Sequence, residues 1–297
     1  MELATEVAIR ATTRLVVLLG DPVAHSFSPL IHNTGFRIQG LDYVYLACRV
    51  PQDALPEAIA GLRALGFAGA NVTIPHKERV RALLDQCTAR AEAIGAVNTI
   101  ICRPDAQGAV ELIGDNTDVE GFLEPLRPLT PRLTAAEMVV LGAGGAARAV
   151  VYALLTAFRP TRLTIAARTP ARGDALATDF AAYDSNQALQ VVPWDKAAPF
   201  IRTARLIVNA TPVGMHPQVE ASPWPHAEDF APEQIVYDLV YNPIQTRLLR
   251  AAARRGATTI DGLAMLIGQA AAAYQQWTGR LFPREAVQTA LRPLLQR

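Results

Sequence analysis

The segment that constrains this chain most is MVVLGAGGAARAV (138–150). An apolar run of strand length enters Gly142-Ala143-Gly144-Gly145-Ala146-Ala147, and an Ala-rich helical stretch leaves it. A strand that turns straight into a helix predicts a βαβ unit, and such units build parallel sheets covered by helices. Gly142 permits the tight turn, Gly144 lets the backbone approach a pyrophosphate, and the small Ala147 lets helix and sheet pack closely. The bare N–H groups at the helix start then face the negative charge. A Gly-rich turn with no ligand is the alternative, and the strand before it and the helix after it argue against that.

The same rhythm runs along the chain. Strands are predicted at 15–19, 43–50, 69–74 and 97–102, with helices at 29–39, 53–65 and 76–84. After Asp118 it restarts, with strands at 137–141, 162–167, 188–192, 206–209, 235–239 and 258–260 and helices through 145–156 and from Pro170. Residues 261–297 read as helix only, and the Pro-rich SPWPHAEDFAPEQ (222–234) reads as a surface loop. At 297 residues the chain has the length for two open α/β domains, the C-terminal helices covering the first.

Charge and cysteine usage exclude several classes. Lys and Arg number 28 against 27 Asp and Glu, a net charge of +1, so there is no electrostatic case for nucleic acid or a membrane surface. Hydrophobic residues at 51% and charged residues at 19% exclude intrinsic disorder. Cys48, Cys87 and Cys102 lie far apart, unsuited to a disulfide framework or a zinc site. No metal and a reducing, cytoplasmic setting are therefore expected. No apolar stretch nears the roughly 20 residues that span a bilayer. The N-terminal MELATEVAIRATTR carries Glu2 and Glu6 where a signal peptide carries positive charge.

The end of the next strand selects the cofactor. An NAD site places Asp or Glu about 20 residues on, to accept from the ribose hydroxyl. This chain has LTIAART (163–169), with Ala166 and Ala167 in that place, then Arg168, Thr169 and, further on, Arg172. Guanidinium groups bind phosphate through charge-assisted, often paired hydrogen bonds, so NADP is expected over NAD. The bland reading makes Arg168 a solvated surface charge.

Polar clusters of the first half lie where strands end. SFSP (26–29) sets Ser26 and Ser28 ahead of a helix, as a carboxylate receptor or as an ordinary cap. NVTIPHK (71–77) puts Asn71 and Thr73 on one side of a strand and Lys77 in a first helical turn, where the dipole disfavours a bland lysine. GAVNT (95–99) and GDNTD (114–118) supply Asn98, Asn116 and Asp118.

These strings, together with GAGGAAR, NATPVGM (209–215), DLVYNP (238–243) and DGLAMLIGQA (261–270), resemble the shikimate/quinate dehydrogenase family from Ser26 to Gln269, in order and in spacing. The resemblance implies the reversible NADP-dependent reduction of 3-dehydroshikimate to shikimate, a step of aromatic amino-acid biosynthesis through chorismate. It implies a substrate-binding domain of residues 1–117 and 262–297 and a Rossmann NADP-binding domain of residues 118–261, with a cleft between them. It implies that Ser26 and Ser28 hold the substrate carboxylate. Asn71, Thr73, Asn98, Asp118 and Gln269 then hold ring hydroxyls, with Tyr241 closing the site. Gly142, Ala143, Gly144, Gly145, Ala146, Arg168, Thr169 and Arg172 then bind NADP, with Leu239 and Gly262 near the nicotinamide. One departure is Ala167, where the family has Asn; the loss of that adenosine-side hydrogen bond predicts weaker cofactor binding. Monomer and homodimer both fit.

Ketone reduction needs a hydride donor at the carbon and an acid where charge develops on the oxygen. Lys77 is the expected acid, oriented by Asp118. Of the five histidines, His76 is the rival acid by adjacency, and His25 precedes the serine pair. Two other functions compete. A quinate or dual-specificity dehydrogenase differs by one or two contacts to an extra hydroxyl. A non-catalytic NADP or shikimate sensor is opposed by the presence of both Lys77 and Asp118.

Overall fold

The computed structural model describes residues 9–104 and 108–295, so the reading at Glu2 and Glu6 lies outside the described residues. The chain divides into two compact units, Met1–Thr117 with Ala270–Arg297, and Asp118–Gln269.

The first unit runs β1 (Arg14–Gly20), α1 (Ser28–Ile38), β2 (Tyr43–Arg49), α2 (Leu55–Ala64), β3 (Gly69–Val72), β4 (Gln86–Cys87), α3 (Ala89–Ile94), β5 (Thr99–Pro104) and β6 (Val110–Asp115). Its sheet has the order β2-β1-β3-β5-β6-β4. The sheet is mixed rather than all parallel: β5 runs antiparallel to both β3 and β6. The sequence reading misses two strands, the two-residue β4 and β6, and β6 is joined to β5 by a connection too short for a parallel crossover. Strand alternation splits the core in two. Val17, Leu19, Ala70, Val72 and Ile100 face α2 and α3, whereas Val16, Leu18, Tyr43 and Tyr45 face Phe36 of α1.

The expected helix over 76–84 is a correction. Residues Arg79–Leu83 form one 3-10 stretch, and Lys77 sits in the turn before it. The Lys77 carbonyl accepts from the Val97 amide at 2.7 Å and so does not serve as an α-helical acceptor.

The second unit opens with α4 (Asp118–Leu123) and α5 (Thr130–Leu133). It continues β7 (Glu137–Leu141), α6 (Gly145–Phe158), β8 (Arg162–Ala167), α7 (Pro170–Phe180), β9 (Leu189–Pro193) and α8 (Ala198–Thr203). It ends with β10 (Leu206–Asn209), β11 (Ile235–Asp238), α9 (Arg247–Arg254), β12 (Thr258–Ile260) and the start of α10 (Gly262–Thr278). The six strands are parallel in the order β12-β11-β10-β7-β8-β9, so the winding direction reverses between β7 and β10. The 222–234 stretch is a loop but not a surface one: Trp224 and Phe230 are buried in the core beneath α8 and α9. The Trp224 indole N–H donates to Asp229 at 3.0 Å, which satisfies its polar edge.

The unit boundary falls inside α10 at Gln269, not at the expected residue 262. The first half of α10 packs on α4: a Cβ at Gly121 would lie 2.5 Å from the Met265 carbonyl oxygen. The second half and α11 (Arg284–Leu295) belong to the first unit. There the Trp277 indole donates to the Ile100 carbonyl at 3.0 Å, and Gln276 donates to Asp115 at 2.6 Å.

Candidate functional site

In the second unit, β7 ends at the switch point, where open α/β sheets take their ligands. Gly142 has φ +110°, and a Cβ there would meet Thr211 Cγ2 at 2.7 Å, so both conformation and space demand glycine. Gly144 caps α6 with no side-chain hydrogen bond, and a Cβ on it would meet nothing within 4 Å. Ala147 is fully buried against the sheet. An uncapped helix start with open space in front of it fits a pyrophosphate.

The neighbouring β8 ends at the buried Ala167, paired with Pro193, and Arg168 and Thr169 emerge exposed beyond it. Thr169 is the N-cap of α7 without using its hydroxyl, and Arg172 lies exposed in the first turn. Among the described residues neither guanidinium has an acidic partner. A cationic edge beside the glycine turn fits a 2′-phosphate better than a bare ribose.

Motif residues to which no role was assigned brace this end of the sheet. Asn209 donates to Asp238 at 2.8 Å and accepts from the Thr211 hydroxyl at 2.7 Å. Asp238 also accepts from the Thr246 hydroxyl at 2.6 Å and the Val240 amide at 3.1 Å. Burial pushes the Asp238 carboxyl up to about 6 despite these donors. The brace fixes the 239–241 segment, and Gly262 packs its backbone on Leu239, which brings those two expected cofactor residues together. Tyr241 follows in the same segment. Asp118 opens α4, and Gln269, on α10, lies against Gly121 one turn later and donates to the Leu266 carbonyl at 2.8 Å.

In the first unit, Ser28 is the first residue of α1, whose N-cap is Phe27 with no side-chain cap bond. The two hydroxyls instead lie 3.2 Å apart, with the Ser28 amide on Ser26 Oγ. Ser26 Oγ thus satisfies the first amide of α1, and the Ser28 hydroxyl makes no cap bond within the helix. Asn71 and Asn98 are buried, and both bond Thr99. Thr73 lies just past β3, its amide on the Leu19 carbonyl at 2.9 Å. Lys77 belongs to this unit, half-buried. His76 is fully buried with Nε2 on the Val50 carbonyl at 2.7 Å, which makes it a core residue and not the rival acid. Sequence reading missed Tyr45 and Thr99 as partners of the asparagines, because only the strand register brings them together.

The second unit is a dinucleotide-binding Rossmann unit, and the first is a separate mixed α/β unit completed by the C-terminal helices. The family model described as the shikimate dehydrogenase substrate binding domain matches residues 18–100. The model for shikimate / quinate 5-dehydrogenase matches 126–225, and that for the shikimate 5'-dehydrogenase C-terminal domain matches 262–292. A shikimate dehydrogenase (NADP(+)) of Salinibacter ruber is 56% identical over 284 residues, covering 95% of this chain and 98% of the relative. A crystal structure of a shikimate dehydrogenase in complex with NADP+ superposes with a TM-score of 0.88 at 38% identity, covering 97% of this chain and 98% of the other. Quinate dehydrogenase from Corynebacterium glutamicum, in complex with NAD, gives 0.83 at 32% identity, covering 94% and 99%. The chain belongs to the shikimate dehydrogenase family.

Proposed function

We propose that this protein catalyses the reversible, NADP-dependent reduction of 3-dehydroshikimate to shikimate, a step of aromatic amino-acid biosynthesis. The observation that carries the cofactor half is Arg168 just past β8 and Arg172 in the first turn of α7, neither with an acidic partner among the described residues. The substrate half rests on the Salinibacter ruber relative, whose name is that activity, and on the matching motifs.

The residues that hold the cofactor are Gly142 through Ala146 at the pyrophosphate, Arg168, Thr169 and Arg172 at the 2′-phosphate, and Leu239 and Gly262 at the nicotinamide. NADPH, when bound, supplies the hydride. Ser26 and Ser28, their hydroxyls 3.2 Å apart at the start of α1, take the substrate carboxylate. Asn71, Thr73, Asn98 and Gln269 take ring hydroxyls, and Tyr241 covers them. Lys77 gives its proton to the ketone oxygen as charge develops there, and Asp118 orients the ammonium and the substrate. In the reverse direction the same pair removes the hydroxyl proton. The free thiols of Cys48, Cys87 and Cys102 fit a reducing, cytoplasmic compartment.

The test is steady-state absorbance of nicotinamide reduction with NADP and NAD, each against shikimate and quinate. A kcat/KM for NADP with shikimate at least about tenfold above the other three pairings is expected. Comparable turnover with NAD removes the Arg168 assignment, and comparable turnover of quinate makes the enzyme one of dual specificity.

A further inference from the structure

In antiparallel register Asn71 of β3 lies directly opposite Thr99 of β5, so their side chains share one face of the sheet. The hydrogen bonds there run in one direction. Tyr45 donates its hydroxyl to Asn71 Oδ1 at 2.8 Å. Asn71 donates one amide hydrogen to the Asn98 backbone carbonyl at 3.0 Å and the other to Thr99 Oγ1 at 3.1 Å. Thr99 donates to Asn98 Oδ1 at 3.0 Å, which also accepts from the Thr117 amide at 2.7 Å. Asn98 donates to Thr117 Oγ1 at 3.0 Å.

Two backbone groups set this polarity. The Asn98 carbonyl only accepts, so the amide nitrogen of Asn71 must face it; the Thr117 amide only donates, so the carbonyl oxygen of Asn98 must face it. Asn71 has then spent both amide hydrogens among the described residues, and what it has left is a lone pair on Oδ1. The fully buried Thr99 hydroxyl accepts from Asn71 and lies 3.0 Å from both Asn98 Oδ1 and Thr117 Oγ1.

We infer that Thr99 is a positioning residue for the substrate: with the orientation of both asparagines set by the backbone, its hydroxyl takes up the second amide hydrogen of Asn71, so that Asn71 meets a ring hydroxyl only as an acceptor. The inference rests on the proposed roles of the two asparagines. It places the specificity for a hydroxyl that donates at this position in a residue that touches no substrate.

The test uses the full-length enzyme and three variants. Thr99→Val keeps the shape and removes the hydroxyl; Thr99→Ser keeps the hydroxyl; Ile100→Val, on the opposite face of β5, is a core control of modest destabilisation. Thr99→Val is expected to raise KM for shikimate roughly ten- to hundredfold, the ratio set by leaving a buried polar group unsatisfied. KM for NADP stays within about twofold, Thr99→Ser recovers most of the loss, and Ile100→Val leaves both constants unchanged. If Thr99→Val does not fold, Thr99→Ala, which removes the same hydroxyl without filling its space, decides by raising KM for shikimate alone. A wild-type-like shikimate KM in whichever variant decides, or equal rises for both substrates, overturns the inference. Wild-type enzyme that does not oxidise shikimate with NADP overturns the proposed function as well, which separates the two failures.

Discussion

His32, on α1, is fully buried with neither ring nitrogen hydrogen-bonded. Its imidazole stacks on Tyr45 at 4.4 Å between ring centroids, and Trp277 lies at 5.2 Å. Burial drives its pKa down from 6.5 to about 3, so the folded protein holds it neutral. A depressed folded value means stability that is present above 6.5 and lost as pH falls from there towards 3. At about pH 5.0 the unfolded chain is 1.5 pH units below its histidine value, a loss of roughly 2 kcal/mol at about 1.36 kcal/mol per unit. Asp238 works the other way: its raised carboxyl gives stability that is present below 3.8 and lost as pH rises through about 6. The two oppose each other in mildly acidic solution, so total stability conceals both. The difference between wild type and His32→Phe isolates the imidazole, because Asp238 is common to both proteins. Phe keeps the ring stack and removes two unsatisfied nitrogens, so the variant should be more stable by about 1–3 kcal/mol at neutral pH. That gap should widen by roughly 2 kcal/mol between about pH 7.5 and about pH 5.0. Urea unfolding at both pH values measures it, and hydrogen exchange of β1 and β2 amides confirms that the change lies in the first unit. A gap that does not change with pH refutes the reasoning.

Three further outcomes are expected. Lys77→Ala should lower kcat by roughly 10²–10⁴, the range for a lost general acid, and near-normal steady-state turnover would eliminate that role. Arg168→Ala should raise KM for NADP about ten- to hundredfold, the worth of a charge-assisted hydrogen bond, while leaving KM for NAD unchanged; parallel shifts in both would return Arg168 to a surface charge. Asp115 is desolvated, yet the Arg90 and Thr88 hydrogen bonds outweigh this and hold its carboxyl below 3.8. Asp115→Ala removes the acceptor that Arg90, Thr88 and Gln276 of α10 share, which should cost about 1.5–3 kcal/mol in urea unfolding; a cost under about 0.5 kcal/mol would show that the α10 helix does not depend on that carboxylate.

Parallel strands buried on both faces were the legible part of the fold. The 206–209 strand, buried throughout, falls where its apolar run predicted it, and the other five strands of that sheet agree within a residue. Legibility failed where pairing was decided by partners distant in sequence. Residues 110–115 read VELIGD, with Glu111 and Asp115 in the run, and partners distant in sequence, Gln86 and Arg103 for the first and Thr88, Arg90 and Gln276 for the second, make those carboxylates acceptable in a strand. Residues 76–84 carry apolar spacing compatible with a helix, but the Val97 amide claims the Lys77 carbonyl and leaves one 3-10 stretch. The proline-rich segment reads as exposed because composition does not reveal that Asp229 satisfies both the Trp224 indole and Arg202 and so lets tryptophan go inside.

The glycine turn was legible because its requirement is local: a left-handed φ at Gly142 and open space at Gly144 follow from a strand that must become a helix within three residues. Which way an asparagine points is not local. Asn71 and Asn98 are visible as polar residues at strand ends, but the hydrogens each has left for a ligand depend on a register that pairs residue 71 with residue 99. That register also sets Thr99 of β5 opposite Asp115 of β6, so the proposed positioning residue and the anchor for α10 are cross-strand neighbours. Substitutions along this row should therefore separate by function: those at Thr99 change affinity for shikimate, and those at Asp115 change stability.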